Sequence, residues 1–275
     1  MSGYRAAISV SLREQVLAKL GFSAPPEVSD QGLAQVYRAW CQRVPFDNVL
    51  KRIQSQHDRQ TPLPGFTPTD FFNQWLRFGV GGTCWASQGA ICALLASLGF
   101  NVKYGLSTML SPRPQPGPSP GHGTLVVDTG DGPLIVDATM LHGSPLSLRA
   151  GQAAHPVWGT RTHFSDGYWC INWKPLGRPW VDCRLLDLDA PAAEFPRRHE
   201  LSRDNSRFNS ATLIRRAGEE TIIGMVKGEK IVRQADGQEI RQALSWQQQQ
   251  QLLIEEFFIA EEIALKMPRD DTEIA

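Results

Sequence analysis

Long hydrophobic runs are absent from this sequence. The best of them, Ala90 to Ala96, is cut short by Ser97 and Gly99, far below the roughly 20 residues that a membrane-spanning helix needs. The stretch from Met1 to Val10 is too weakly apolar for a secretory signal. Net charge is missing as well. The 28 Lys and Arg balance 28 Asp and Glu over 275 residues, which removes the electrostatic reason to expect nucleic acid or an anionic membrane as a partner. Cysteine is scarce: Cys41, Cys84, Cys92, Cys170 and Cys183 form no CxxC pair. That pattern argues against a disulfide framework or a structural zinc site, and it fits a reducing compartment, the cytoplasm. No P-loop or GxGxxG signature is present either.

What is there begins with helices. Ser11 and Glu14 form a capping box before Leu12, Val16, Leu17 and Leu20, and Gly21 supplies a stop. A second helix follows Asp30, with Leu33, Val36 and Trp40 on one face. A third, capped by Thr69 or Asp70, carries Phe71, Phe72, Trp75 and Leu76 up to Gly79. Gly81-Gly82-Thr83-Cys84 then leads into a helix whose stripe is Ile91, Leu94, Leu95 and Leu98. After Gly99 the period changes to two. Val102, Tyr104 and Leu106 alternate as in a half-buried strand, and the proline-rich run 111–121 reads as an exposed connection. Strands at 124–127 and 134–136 are joined through Gly130-Asp131-Gly132, a hairpin signal. Further strands are predicted at 168–172, 180–186, 211–215, 221–226 and 230–233, and a last helix after Ser245 turns Leu252, Leu253, Phe257 and Ala260 inward. The order is helical, then β, then mixed.

Cys84 is the sharpest chemical feature. A thiol at the mouth of a Gly-Gly turn and the start of a helix meets the positive end of the helix dipole, which favours the thiolate. The glycines let a substrate approach the backbone, and the amide of Cys84 or its neighbour could bind an oxyanion. The other four cysteines read as small core hydrophobes. A thiolate in acyl transfer needs a base, and the base needs an orienting partner. His122 opens a strand after the proline-rich run, and Asp137 closes the next one. Antiparallel pairing through the 130–132 turn brings those two ends side by side. His57, His142, His155, His163 and His199 lack such a strand-end carboxylate and read as surface or structural groups. His142, close after Asp137, is the one competitor.

These segments resemble a family. Val44-Pro45-Phe46-Asp47-Asn48-Val49-Leu50, then Gly81-Gly82-Thr83-Cys84, then His122-Gly123-Thr124-Leu125-Val126-Val127, then Ile135-Val136-Asp137 are similar, in order and interval, to the arylamine N-acetyltransferases. Leu20-Gly21-Phe22 looks like that family's start, and Ser206-Arg207-Phe208 like its entry to a third domain. The resemblance implies an α+β fold. It would comprise an N-terminal helical bundle over 1–100, a central antiparallel β-barrel over 101–200 and a C-terminal α/β lid over 201–275. It implies a ping-pong acyltransferase with Cys84 as nucleophile, His122 as its base or ion-pair partner and Asp137 as the orienting carboxylate. Acetyl-CoA or another acyl-CoA would be the donor, without a metal. The acceptor would be an arylamine, N-hydroxyarylamine or hydrazine. No basic side chain can be assigned to the donor's phosphates from spacing, and Ser206 is a weak candidate contact.

The chain also departs from the family pattern Arg-Gly-Gly-x-Cys-x-Glu-x-Asn. Val80 stands for the arginine, Ala86 for the glutamate and Gln88 for the asparagine. Losing arginine and glutamate together suggests a lost ion pair. After the aspartate, Ala138-Thr139-Met140-Leu141 replaces Val-Gly-Phe-Gly, so the acceptor pocket should differ in shape. Three other readings stay open: an amide synthase of secondary metabolism with a larger acyl donor, a cysteine hydrolase, and a non-catalytic acyl-CoA or small-ligand-binding relative.

Overall fold

The helices begin where a side chain can hold their free amides. The computed structural model describes residues 7–110, 119–149, 151–152, 157–178, 180–206 and 208–270. Most of the proline-rich run, 111–118, lies outside them, as does His155. Helix α1 (Val10–Lys19) starts two positions earlier than expected, because Ser9 rather than Ser11 is the cap, accepting the amide of Leu12 at 3.1 Å. Helix α2 (Asp30–Arg43) is capped by Ser29. Strand β1 (Phe46–Asp47) and helix α3 (Val49–His57) follow, and neither is foreseen from periodicity. In α4 (Pro68–Phe78) the cap is Thr67, with Pro68 in the first turn, and Gly79 closes the helix at a φ of +76°. That is the left-handed backbone that glycine takes without steric cost.

Helix α5 (Cys84–Ser97) is buried on nearly every side, through Trp85, Ser87, Gln88, Ile91, Leu94 and Leu95. A helix without a polar face belongs in the middle of a domain. It packs on α1 and α4 and on two strands, β2 (Asn101–Leu110) and β3 (His122–Asp128). Val102, Leu125 and Val127 join its core cluster. The chain then forms β4 (Pro133–Val136), β5 (Leu146–Ser147), β6 (Gly151–Gln152), β7 (Arg161–Ser165), β8 (Tyr168–Trp173) and β9 (Val181–Ala190). Together they make one antiparallel sheet in the order β5-β4-β3-β2-β9-β8-β7-β6. Its two ends nearly meet, since the Thr162 hydroxyl of β7 donates to the carbonyl of Ser147 at 3.2 Å and also contacts that of Arg149. Val126, Ile135, Leu146, Ile171, Trp173 and Leu185 pack together in a second cluster. The hairpin turn between β3 and β4 holds Gly130 and Gly132 at φ of +113° and +107°, which explains the glycines.

Helix α6 (Glu194–Leu201) leads to a meander of β10 (Leu213–Ala217), β11 (Ile222–Val226), β12 (Glu229–Arg233) and β13 (Glu239–Ala243). The edge of this second sheet is taken by β1, with Phe46 opposite Arg215 and Asp47 opposite Ile214. The N-terminal part of the chain is thereby stitched into the C-terminal sheet. Helix α7 (Trp246–Glu255) carries a complete capping box from Ser245 and Gln248 and ends sooner than expected. Phe257 is still buried beyond it, and α8 (Glu261–Ala264) follows Ala260. The result is the α+β class expected, with helices, a nearly closed antiparallel barrel and a smaller mixed unit. Among the described residues, no helix is long and apolar enough to cross a membrane.

Candidate active site

The Gly81-Gly82 turn is shaped by its neighbours before any chemistry is considered. A Cβ on Gly81 would stand 1.8 Å from the carbonyl oxygen of Pro45, so only glycine fits. Its amide donates to Asp47 Oδ2 at 2.6 Å, and the amide of Val49 donates to Asp47 Oδ1 at 2.9 Å. Asp47 N in turn donates to the carbonyl of Gly82 at 3.2 Å. Burial pushes the Asp47 carboxyl up to about 6, against the pull of the two amides. Asp47 thus clamps the turn that precedes Cys84. Thr83 makes no side-chain cap to α5, which leaves the first-turn amides beside Cys84 free of that competitor. Cys84 itself is 7% exposed.

His122 is the first residue of β3, and Asp137 is the first after β4. The register sets Leu125 opposite Val136, so the two strand ends lie together. His122 Nε2 is 2.7 Å from Asp137 Oδ2, and both side chains are buried. The Cys84 side chain hydrogen-bonds to the same imidazole. Burial disfavours the charged ring, yet Asp137 and then Cys84 outweigh it and hold His122 well above its ordinary 6.5. Asp137 is held below its ordinary 3.8, because His122 and the amides of Met140 and Thr139 overcome the burial cost. Those amides donate to Asp137 Oδ1 at 2.9 and 2.8 Å. His122 thus meets both Asp137 and the Cys84 side chain.

Several supporting residues went unseen in the sequence. Tyr37 on α2 donates its hydroxyl to the carbonyl of Asp137 at 2.7 Å and accepts the amide of His142 at 3.2 Å. Gln88 donates to the carbonyl of Gly123 at 3.1 Å and so ties α5 to the start of β3. Their partners are 100 and 35 residues away, beyond the reach of any local pattern. Asp47 had a signal, being the lone acid inside an apolar segment. The remaining candidates sit elsewhere. His142 Nδ1 pairs with the Thr160 hydroxyl at 2.8 Å rather than with Asp137. His199 is buried against the carbonyl of Pro64 and pushed down to about 4 by that burial. His57 and His163 are exposed. Ser206 accepts the amide of Phe208 in a local turn. The other four cysteines are buried. Among the described residues, no cluster of His, Cys, Asp and Glu could hold a metal ion.

The departures from the family pattern have structural answers. Val80 packs in an apolar cluster with Val49, Leu253, Phe257 and Ile259. Ala86 belongs to the other core, close against Gly65 and Gly82. Leu141, where the family has glycine, is fully buried at a φ of +52°, a conformation that glycine would adopt without strain. Met140 reaches Arg215 on β10, whose Nη2 donates to the thioether sulfur at 4.0 Å.

Fold and site together define a class: α+β proteins that present a cysteine at a helix start to a histidine and an aspartate at the ends of two neighbouring strands of a barrel. The solved structures that share this fold are consistent with it. An arylamine N-acetyltransferase of M. smegmatis superposes with a TM-score of 0.80 at 17% identity, over 94% of this chain and 97% of that one. The enzyme of Nocardia farcinica gives 0.77 at 19% identity, over 93% of each chain. That of Mycobacterium marinum in complex with CoA gives 0.77 at 16% identity, over 91% and 96%. No curated protein matches at the level of sequence. A family model described as N-acetyltransferase matches residues 31–181, more than half of the chain. The chain therefore belongs to the arylamine N-acetyltransferase family, as a divergent member.

Proposed function

We propose that this acetyltransferase-family protein moves an acetyl or related acyl group from acyl-CoA to an amine through a Cys84 thioester. The observation that carries the reading is the placement of His122 between Asp137, at 2.7 Å, and Cys84. Asp137 favours the imidazolium, and the imidazolium favours the Cys84 thiolate. The thiolate attacks the carbonyl carbon of the acyl-CoA, and a new carbon–sulfur bond forms. The bond to coenzyme A then breaks, and its leaving sulfur takes the proton from His122. In the second half-reaction the amine nitrogen attacks the acyl-enzyme and gives up a proton to His122. The Cys84–carbon bond breaks, releasing the amide and restoring the ion pair. The amides at the start of α5 would stabilise the oxyanion in both steps.

By family, the acceptor would be an arylamine, N-hydroxyarylamine or hydrazine, in the reducing cytoplasm where Cys84 stays a thiol. Met140 and the strained Leu141 favour a second reading for the same chemistry, an amide synthase that takes a larger acyl group. The test is the initial rate of acetyl-CoA consumption, followed by thioester absorbance, at several amine concentrations. Parallel double-reciprocal lines are expected, with little turnover when amine is omitted. Full-rate turnover without amine would instead mark a hydrolase.

A further inference from the structure

Arg215 is a cation without an ion-pair partner among the described residues. It lies on β10, is 7% exposed, and none of the ion pairs among the described residues includes it. Its Nε has no hydrogen-bond partner. What it touches is soft: the Met140 sulfur at 4.0 Å and the face of the Phe46 ring, 4.6 Å away. Its neighbour Arg233 shows the contrast. That side chain is fully buried too, but it is bound to Glu239 at 2.6 Å and to the carbonyls of Lys174 and Pro175. Burial pulls the Arg215 guanidinium down to about 10, with Asp137 and Cys84 acting in the opposite direction and Arg233 and Arg178 adding to the fall. It is still charged at neutral pH, and its field reaches the two groups at either end of the candidate triad.

A buried guanidinium left unpaired is strongly disfavoured unless a ligand completes it. We propose that Arg215 pairs with a carboxylate carried by the small substrate that meets Cys84, and so selects anionic substrates over neutral ones. The proposal rests on the acyltransfer reading above and names the substrate class of that site. The donor's phosphates are unsuited to this place, because the pantetheine arm holds them far from the reacting sulfur, whereas Arg215 meets Met140, whose amide holds Asp137. The carboxylate can enter on the acceptor or on the acyl group. A planar guanidinium suits either, since it can offer two parallel donors to one carboxylate.

The experiment compares matched probes with the intact protein and with Arg215→Met and Arg215→Lys. One arm uses 3-aminobenzoate against 3-aminobenzamide with acetyl-CoA as donor. The other uses succinyl-CoA against propionyl-CoA with aniline as acceptor. The readout is the ratio of kcat/KM for the anionic over the neutral probe. A ratio of roughly 10 to 100 is expected in one arm, falling to about one in Arg215→Met and partly restored in Arg215→Lys. Because it is a ratio, a general loss of folded protein cancels. No charge preference in either arm, or a preference that survives Arg215→Met, overturns the proposal. If no acyl transfer occurs at all, the function reading fails separately. Equilibrium binding of benzoate against benzamide, followed by tryptophan fluorescence, then decides the Arg215 proposal by the same two criteria.

Discussion

Two buried cations share the influence of Asp137, and they are treated in opposite ways. His122 is satisfied on both sides, by the Asp137 carboxylate at 2.7 Å and by the Cys84 side chain. Among the described residues, Arg215 meets a thioether and an aromatic face, and no carboxylate at ion-pair distance. The first arrangement is complete without substrate, as a pre-organised proton carrier should be. The second is incomplete, and a site left incomplete is where a ligand adds most. On the proposed reading, the ends of β3 and β4 hold the chemistry ready, while β10, the strand that pairs with β1, holds the selectivity.

Breaking the complete side has the largest expected effect. Asp137→Asn removes the charge that holds His122 protonated, and kcat/KM should fall by about 10³- to 10⁴-fold in steady-state assays. Its stability signature has a defined pH window. Asp137 is held below 3.8, so its share of the stabilisation is present above about pH 4 and lost as the pH falls. His122 is held above 6.5, so its share is complete below roughly that pH and lost as the pH rises through the elevated value. The difference in Tm between the parent and Asp137→Asn should be widest from about pH 4 to 6.5 and narrow on both sides.

Next in size is the turn that delivers the thiol. In Gly81→Ala the new methyl meets the Pro45 carbonyl, which is backbone and cannot step aside. Denaturant unfolding should show a loss of about 3 kcal/mol. The smallest effect belongs to the incomplete side and has the opposite sign. Arg215→Met removes an unpaired buried charge at the cost of one cation–π contact, and should raise stability by about 1–2 kcal/mol. A destabilised Arg215→Met would erase the contrast between the two cations.

Much of this was legible in the chain. The helices of the first hundred residues follow from apolar spacing, and the hairpin that joins His122 to Asp137 follows from Gly130-Asp131-Gly132. The misses share a cause. Helix α3 escapes periodicity because two of its buried residues are charged: Lys51 is held by Ser202 at 2.7 Å and Arg52 by Asp270 at 2.7 Å. Strand β1 is two residues long and pairs with a partner far along the chain. Ser9 outcompetes Ser11 because a cap depends on where the chain turns, not on composition alone. Tyr37 and Arg215 acquire meaning only through contacts that the fold creates. The sequence carries the candidate reacting groups in local patterns, but their supports are spread across the chain.

The central claim is an acyl-enzyme on Cys84. Intact-mass spectrometry after brief exposure to acetyl-CoA tests it most directly, beside a Cys84→Ala control. The account predicts the gain of one acetyl group in the parent, none in the control, and discharge of the adduct when an amine is added. An unmodified parent, or equal modification of the control, would contradict it.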